Sequence, residues 1–104
     1  MTMTLREKQS EFMRMVARLI NHGNRLGYEF TGGDLYRDSR CSYGHRNSLH
    51  RVRLAIDLNL FKDGVFLADG TGHDQLHDFW ESIGGAPRIP SDMNHYSLEH
   101  EGMR

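Results

Sequence analysis

Apolar residues between Leu5 and Leu26 recur at helical spacing. Leu5, Phe12, Val16, Leu19, Ile20 and Leu26 are separated by arginine, glutamate and other polar residues, so they line one face of a long amphipathic helix. Thr4-Leu5-Arg6-Glu7 is a capping box: the Thr4 hydroxyl serves the Glu7 amide and the Glu7 carboxylate reaches back. Gly27 marks the helix end. Tyr28 to Thr31 predicts a short strand, stopped by Gly32-Gly33. The period then becomes two. Leu54, Ile56, Leu58 and Leu60 fall on one face of a strand, and Ala55, Asp57, Asn59 and Phe61 on the other.

Lys62-Asp63-Gly64 turns that strand into Val65-Phe66-Leu67, which predicts a hairpin. From about His73 to Ile83 a second helix buries Leu76, Phe79, Trp80 and Ile83, and Gly84-Gly85 closes it. A last strand is expected from His95 to Glu99, with Tyr96 and Leu98 inward and His95, Ser97 and Glu99 on the other face. The fold class is therefore α+β: a small antiparallel sheet with the long N-terminal helix and the Trp80 helix packed on it. The polar segment from Asp34 to Asn47 reads as a loop over one side of the domain.

At 104 residues, the chain is expected to form a single domain, 1–104. A net charge of −1 supplies neither the basic excess that nucleic-acid binding calls for nor an acidic disordered tail. Cys41 is the single cysteine, which excludes an intrachain disulfide framework. No apolar run has membrane-spanning length and the N-terminus lacks a signal-peptide core. The expectation is a monomer made in the cytoplasm, without nucleic-acid partner or stable membrane insertion. Seven histidines in so short a chain direct attention to metal.

His50, Asp57 and His95 form a plausible ligand set, since two imidazoles and a carboxylate hold zinc with one position left for water. Asp57 projects from the face opposite the leucines, with the small Ala55 beside it leaving room for a ligand. His95 lies on the non-core face of the last strand. If the two strands are antiparallel neighbours, both side chains enter the same space. His50 precedes Asp57 by an odd number of residues, so the chain must bend between His50 and Leu54 to bring the imidazole round. Asp92, three residues before His95, is placed to act as acid and base on the water. Arg37, following Tyr36 in the loop, is the candidate for gripping a substrate carboxylate or a developing oxyanion.

A competing pattern lies in His73-Asp74-Gln75-Leu76-His77, which imitates the His-Glu-x-x-His helix of other zinc proteases with Asp for Glu. It lacks an evident third ligand, and the expectation is a pair of surface histidines at the edge of the buried helix face. His22, His45 and His100 are assigned to solvent or to supporting contacts, and Cys41 to an incidental thiol.

The stretches Ser48-Leu49-His50, Leu54-Ala55-Ile56-Asp57-Leu58 and Asp92-Met93-Asn94-His95-Tyr96 resemble the zinc D-alanyl-D-alanine carboxypeptidase and L-alanyl-D-glutamate endopeptidase family. Its pattern is Ser-x-His, six residues, Asp, and then an acidic residue with x-x-His near the C-terminus. Phe79-Trp80-Glu81-Ser82-Ile83-Gly84-Gly85 and the tail from Asn94 to Gly102 are similar to its compact phage and prophage branch. The resemblance implies a Hedgehog-like metallopeptidase fold, with zinc ligated by His50, Asp57 and His95. It also implies Asp92 as catalytic acid/base and Arg37 as the substrate-binding arginine. The chain departs from the family pattern at Arg51-Val52-Arg53, where many relatives carry an aromatic or glycine, so Arg51 and Arg53 are further candidates for substrate contact.

The implied activity is cleavage of the peptidoglycan stem peptide by a phage endolysin-like L-alanyl-D-glutamate endopeptidase, acting on the cell wall or periplasm after release. D-alanyl-D-alanine carboxypeptidase or dipeptidase activity is the alternative within enzymes. A catalytically idle, Hedgehog-like zinc-binding domain is the alternative outside them.

Overall fold

A computed structural model of the chain describes residues 3–35 and 49–104. The first element, α1 (Leu5–Arg25), starts at the capping box: Glu7 N donates to Thr4 Oγ1 at 3.1 Å and Thr4 N to Glu7 Oε1 at 3.0 Å. Its buried face is Phe12, Met15, Val16, Leu19 and Gly23, the three-four spacing of a helix packed on one side. The expected apolar ends stay outside this stripe, Leu5 at 40% exposure and Leu26 at 41%. At 1.5 Å per residue α1 is about 31 Å long, well beyond the reach of the short strand it packs on. Gly23 is the point of closest approach, because a Cβ there would lie 2.3 Å from Phe30 Cζ.

Four strands form the antiparallel sheet: β1 (Tyr28–Gly32), β2 (Ala55–Lys62), β3 (Val65–Phe66) and β4 (His95–Ser97). β2 pairs with all three others. Its C-terminal part faces β1 from Tyr28↔Lys62 to Gly32↔Leu58 and faces β3 at Phe61↔Phe66, while its N-terminal part faces β4 from Ala55↔Ser97 to Asp57↔His95. Asp63 (φ 52°) and Gly64 (φ 78°) make the hairpin turn, with the two positive φ values that a type I′ turn demands. Leu54, just before β2, and Leu58 and Leu60 within it are buried as expected and Ile56 packs partly buried against them, but Ala55 on the other face is fully buried as well.

The second helix, α2 (His73–Ser82), packs on α1 and contributes the fully buried Leu76 and Trp80 to the core. Trp80 meets Phe12 and Tyr96 edge to face, so helix, helix and sheet share one cluster. Gly85 lies against the Trp80 indole, where a Cβ would come within 2.1 Å of the ring. Arg88 then ties the chain leaving α2 back to its outer face, through Asp74 and Glu81 at 3.0 Å each and through Asp78. The long N-terminal helix and the second helix on a small antiparallel sheet are as expected. β4, however, ends at Ser97 rather than Glu99. Among the described residues no helix is long and apolar enough to cross a membrane.

Candidate metal centre

Antiparallel pairing of β2 with β4 sets Asp57 directly opposite His95. The Asp57 main chain faces the other way, its N–H donating to the Asp34 carbonyl (2.9 Å) and its C=O accepting from Gly33 N (2.7 Å). The pair is therefore of the non-hydrogen-bonded kind, in which side chains stand closest. His95 Nδ1 lies 3.6 Å from Asp57 Oδ1.

His50 arrives from outside the sheet. A short 3-10 helix, η1 (Leu49–Val52), is followed by Arg53 in the left-handed region at φ 57°, and together they supply the bend that the odd spacing requires. His50 is 2% exposed and its Nε2 lies 3.3 Å from the same Asp57 Oδ1. The two imidazole rings meet edge to face with centroids 5.2 Å apart. The His50 Nδ1–H points at the Leu35 carbonyl, 3.4 Å away, which orients the ring with Nε2 toward the carboxylate.

His50, Asp57 and His95 form a group that could hold a metal ion, with one ligand atom from each within 4.8 Å of the others. Burial raises the Asp57 carboxyl, but the two imidazoles against it outweigh that effect and hold it well below the usual carboxylate range. Its Oδ1 is buried and has no hydrogen-bond partner. A nitrogen lone pair facing a carboxylate oxygen at 3.3 Å is stable only with a proton or a cation between them. A tetrahedral ion with bonds of about 2.0–2.1 Å separates its ligand atoms by about 3.4 Å, close to the 3.3 and 3.6 Å spacings around Oδ1. The residues fit a cation.

Comparison with protein-family models, curated proteins and solved structures finds no match.

Asp92 stands at the edge of the group. Its side chain is 52% exposed and Oδ2 lies 3.9 Å from His95 Nδ1. A turn fixes this placement: Asp92 N donates to the Ile89 carbonyl (2.8 Å) and His95 N to the Asp92 carbonyl (3.1 Å). Beyond Asp92 opens a cavity of about 340 Å³ between β2, the Asp69-Gly70 turn and the segment from Pro90 to Asn94. Arg37, Cys41 and His45 lie outside the described residues.

Two expectations need correction. Ala55 does not stand on an open face beside Asp57, for it is fully buried opposite the equally enclosed Ser97. The histidines of α2 are not a surface pair. His73 and His77 are 3% and 1% exposed, because β4 and the turn before it lie across that edge of the helix. They belong to no metal cluster among the described residues. Burial lowers both below the ordinary histidine range, His73 to about 4. The backbone groups of Gly33, Asp34 and Leu35 that frame the ligands carry no sequence signal, since any residue type supplies a carbonyl or an amide.

Proposed function

We propose that this chain is a zinc-dependent peptidase cleaving the stem peptide of peptidoglycan, an L-alanyl-D-glutamate endopeptidase of the phage endolysin kind on a Hedgehog-like fold. The observation that carries this reading is the convergence of His50 Nε2 and His95 Nδ1 on the unpartnered Asp57 Oδ1, with the Asp92 carboxylate at its exposed edge. Two imidazoles and one carboxylate, with one position unfilled, are a ligand set that suits catalytic zinc. Bound there, zinc supplies a Lewis acid for the scissile carbonyl and lowers the pKa of water toward neutrality.

The other roles belong to the chain's own residues. Asp57 and the two imidazoles hold the ion, and the Leu35 carbonyl keeps His50 oriented. Asp92, exposed and 3.9 Å from His95 Nδ1, accepts a proton from the attacking water and delivers it to the leaving amine. Arg37 grips a substrate carboxylate with its planar fork.

The deciding experiment is digestion of purified murein by the zinc-loaded protein with and without chelator, with mass spectrometry of the released fragments. Chelator-sensitive release of peptides beginning at D-glutamate is expected. Loss of terminal D-alanine alone would replace the endopeptidase reading with a carboxypeptidase. No release with zinc bound would leave a non-catalytic zinc domain.

A further inference from the structure

The His73-x-x-x-His77 pair, a metal motif by spacing, has another use in this fold. His73, His77 and Trp80 stand four and three residues apart on α2, so one helix face carries all three. Their ring nitrogens all reach the segment that bears His95. His73 Nδ1 lies 2.6 Å from the Tyr96 hydroxyl, His77 Nε2 lies 2.7 Å from the Met93 carbonyl, and Trp80 Nε1 donates to the Ser97 carbonyl at 2.9 Å.

His77 is the member that touches the turn between Asp92 and His95. A carbonyl only accepts, so the His77 proton sits on Nε2. Its Nδ1 is then a buried acceptor without a partner, while its ring lies flat on Tyr96 with centroids 4.1 Å apart and planes at 10°. Leucine would fill such a core position without burying an unmatched polar atom. What the imidazole adds is one donor aimed at Met93. The turn's other ties are main-chain bonds, from Asp92 N to the Ile89 carbonyl, His95 N to the Asp92 carbonyl and Leu58 N to the Asn94 carbonyl; His77 adds a side-chain donor from α2.

We propose that His77 is a positioning residue, whose Nε2–H anchors the Met93 carbonyl and so holds the Asp92 carboxylate against His95 at the metal centre. Its effect on turnover rests on the peptidase reading; its effect on the turn does not.

The test compares the wild type with His77→Phe, which keeps a ring on Tyr96 without the donor, and with His77→Gln, whose amide N–H replaces it. In His77→Phe the His95 amide, which closes the turn, exchanges with solvent about tenfold faster or more, while the β1–β2 ladder keeps its protection. Zinc affinity by chelator competition falls about tenfold, as for loss of a group that supports a ligand. On murein kcat falls more than KM changes, and His77→Gln restores all three readouts. Unchanged His95 exchange in folded His77→Phe overturns the proposal. Should His77→Phe fail to fold, nitrogen NMR of the wild-type imidazole decides: a proton on Nε2 supports the anchor, and one on Nδ1 overturns it. A wild type inactive on murein overturns the peptidase reading alone, with exchange and tautomer still judging the anchor.

Discussion

Asp57 and His95 are cross-strand partners whose side chains meet because the Asp57 backbone is bonded elsewhere. Gly33 and Asp34 engage its C=O and N–H, leaving the close, non-hydrogen-bonded pairing toward β4. Two of the three candidate metal ligands are thus set by strand register. His50 completes it through the bend at Arg53.

Zinc should stabilise the fold through these three residues. At one hundred times its Kd it adds about 2.7 kcal/mol, which for a domain of this size raises Tm by roughly 10 °C or more. Thermal unfolding with and without zinc measures this. His50→Ala should abolish the shift, and excess chelator should return the wild type to its baseline. A wild-type Tm indifferent to zinc would remove the metal centre.

Asp92 should matter for turnover and not for binding the ion. Its carboxylate lies at the exposed edge of the group and is not one of the three converging ligands. Asp92→Asn keeps shape and loses the proton acceptor, so hydrolysis of murein should fall by about 100-fold or more. Zinc content, measured on the same sample by atomic absorption, should stay at the wild-type level. Normal turnover by Asp92→Asn would exclude the residue from the mechanism.

Gly33 should be sensitive to a single added carbon. A Cβ at this position would lie 3.0 Å from both Asp57 Cβ and Asp57 O, tighter than ordinary contact. Gly33→Ala therefore displaces Asp57 from the imidazoles, and zinc affinity should fall about tenfold, a cost of about 1.4 kcal/mol. Isothermal titration checks this. A Gly33→Ala chain with wild-type affinity would mean that the β1 end yields without moving the ligand.

Stability should decline in mild acid through His73. Burial, then the neighbouring His77, lowers its pKa from 6.5 to about 4, against a small opposing pull from Asp74. The unfolded chain therefore binds the extra proton first between these values. The His73 contribution is complete above about pH 6.5 and is lost as pH falls toward 4, on the order of 3 kcal/mol in all. Urea unfolding at stepped pH should show the slope in the wild type and a shallower one in His73→Gln, a comparison in which the Asp57 titration is common to both. Equal slopes would place the acid sensitivity elsewhere.

Much of this arrangement is legible in one dimension. The capping box at Thr4 and Glu7, the period of α1, the leucine face of β2 and the turn at Asp63-Gly64 are local consequences of residue type, and each appears where the pattern predicts. The opposite facing of His50 and Asp57 along an extended chain even implied a bend, found in η1 and Arg53. The ligand candidates were readable from the residue types and from their resemblance to a known pattern, and the fold brings His50, Asp57 and His95 together.

Burial was not readable, because it depends on what lies across an element. Leu5 and Leu26 belong to the apolar pattern of α1 yet stand exposed at its two ends. His73 and His77 look polar along the helix, but β4 and the Met93 turn close over them. Ala55 belongs to the polar face of β2 by its period and is fully buried. The register of β2 against β4, which puts Asp57 opposite His95 and leaves Oδ1 facing two nitrogens, joins segments 38 residues apart. No local preference specifies such a pairing; it follows from burying one face of each strand in a common core.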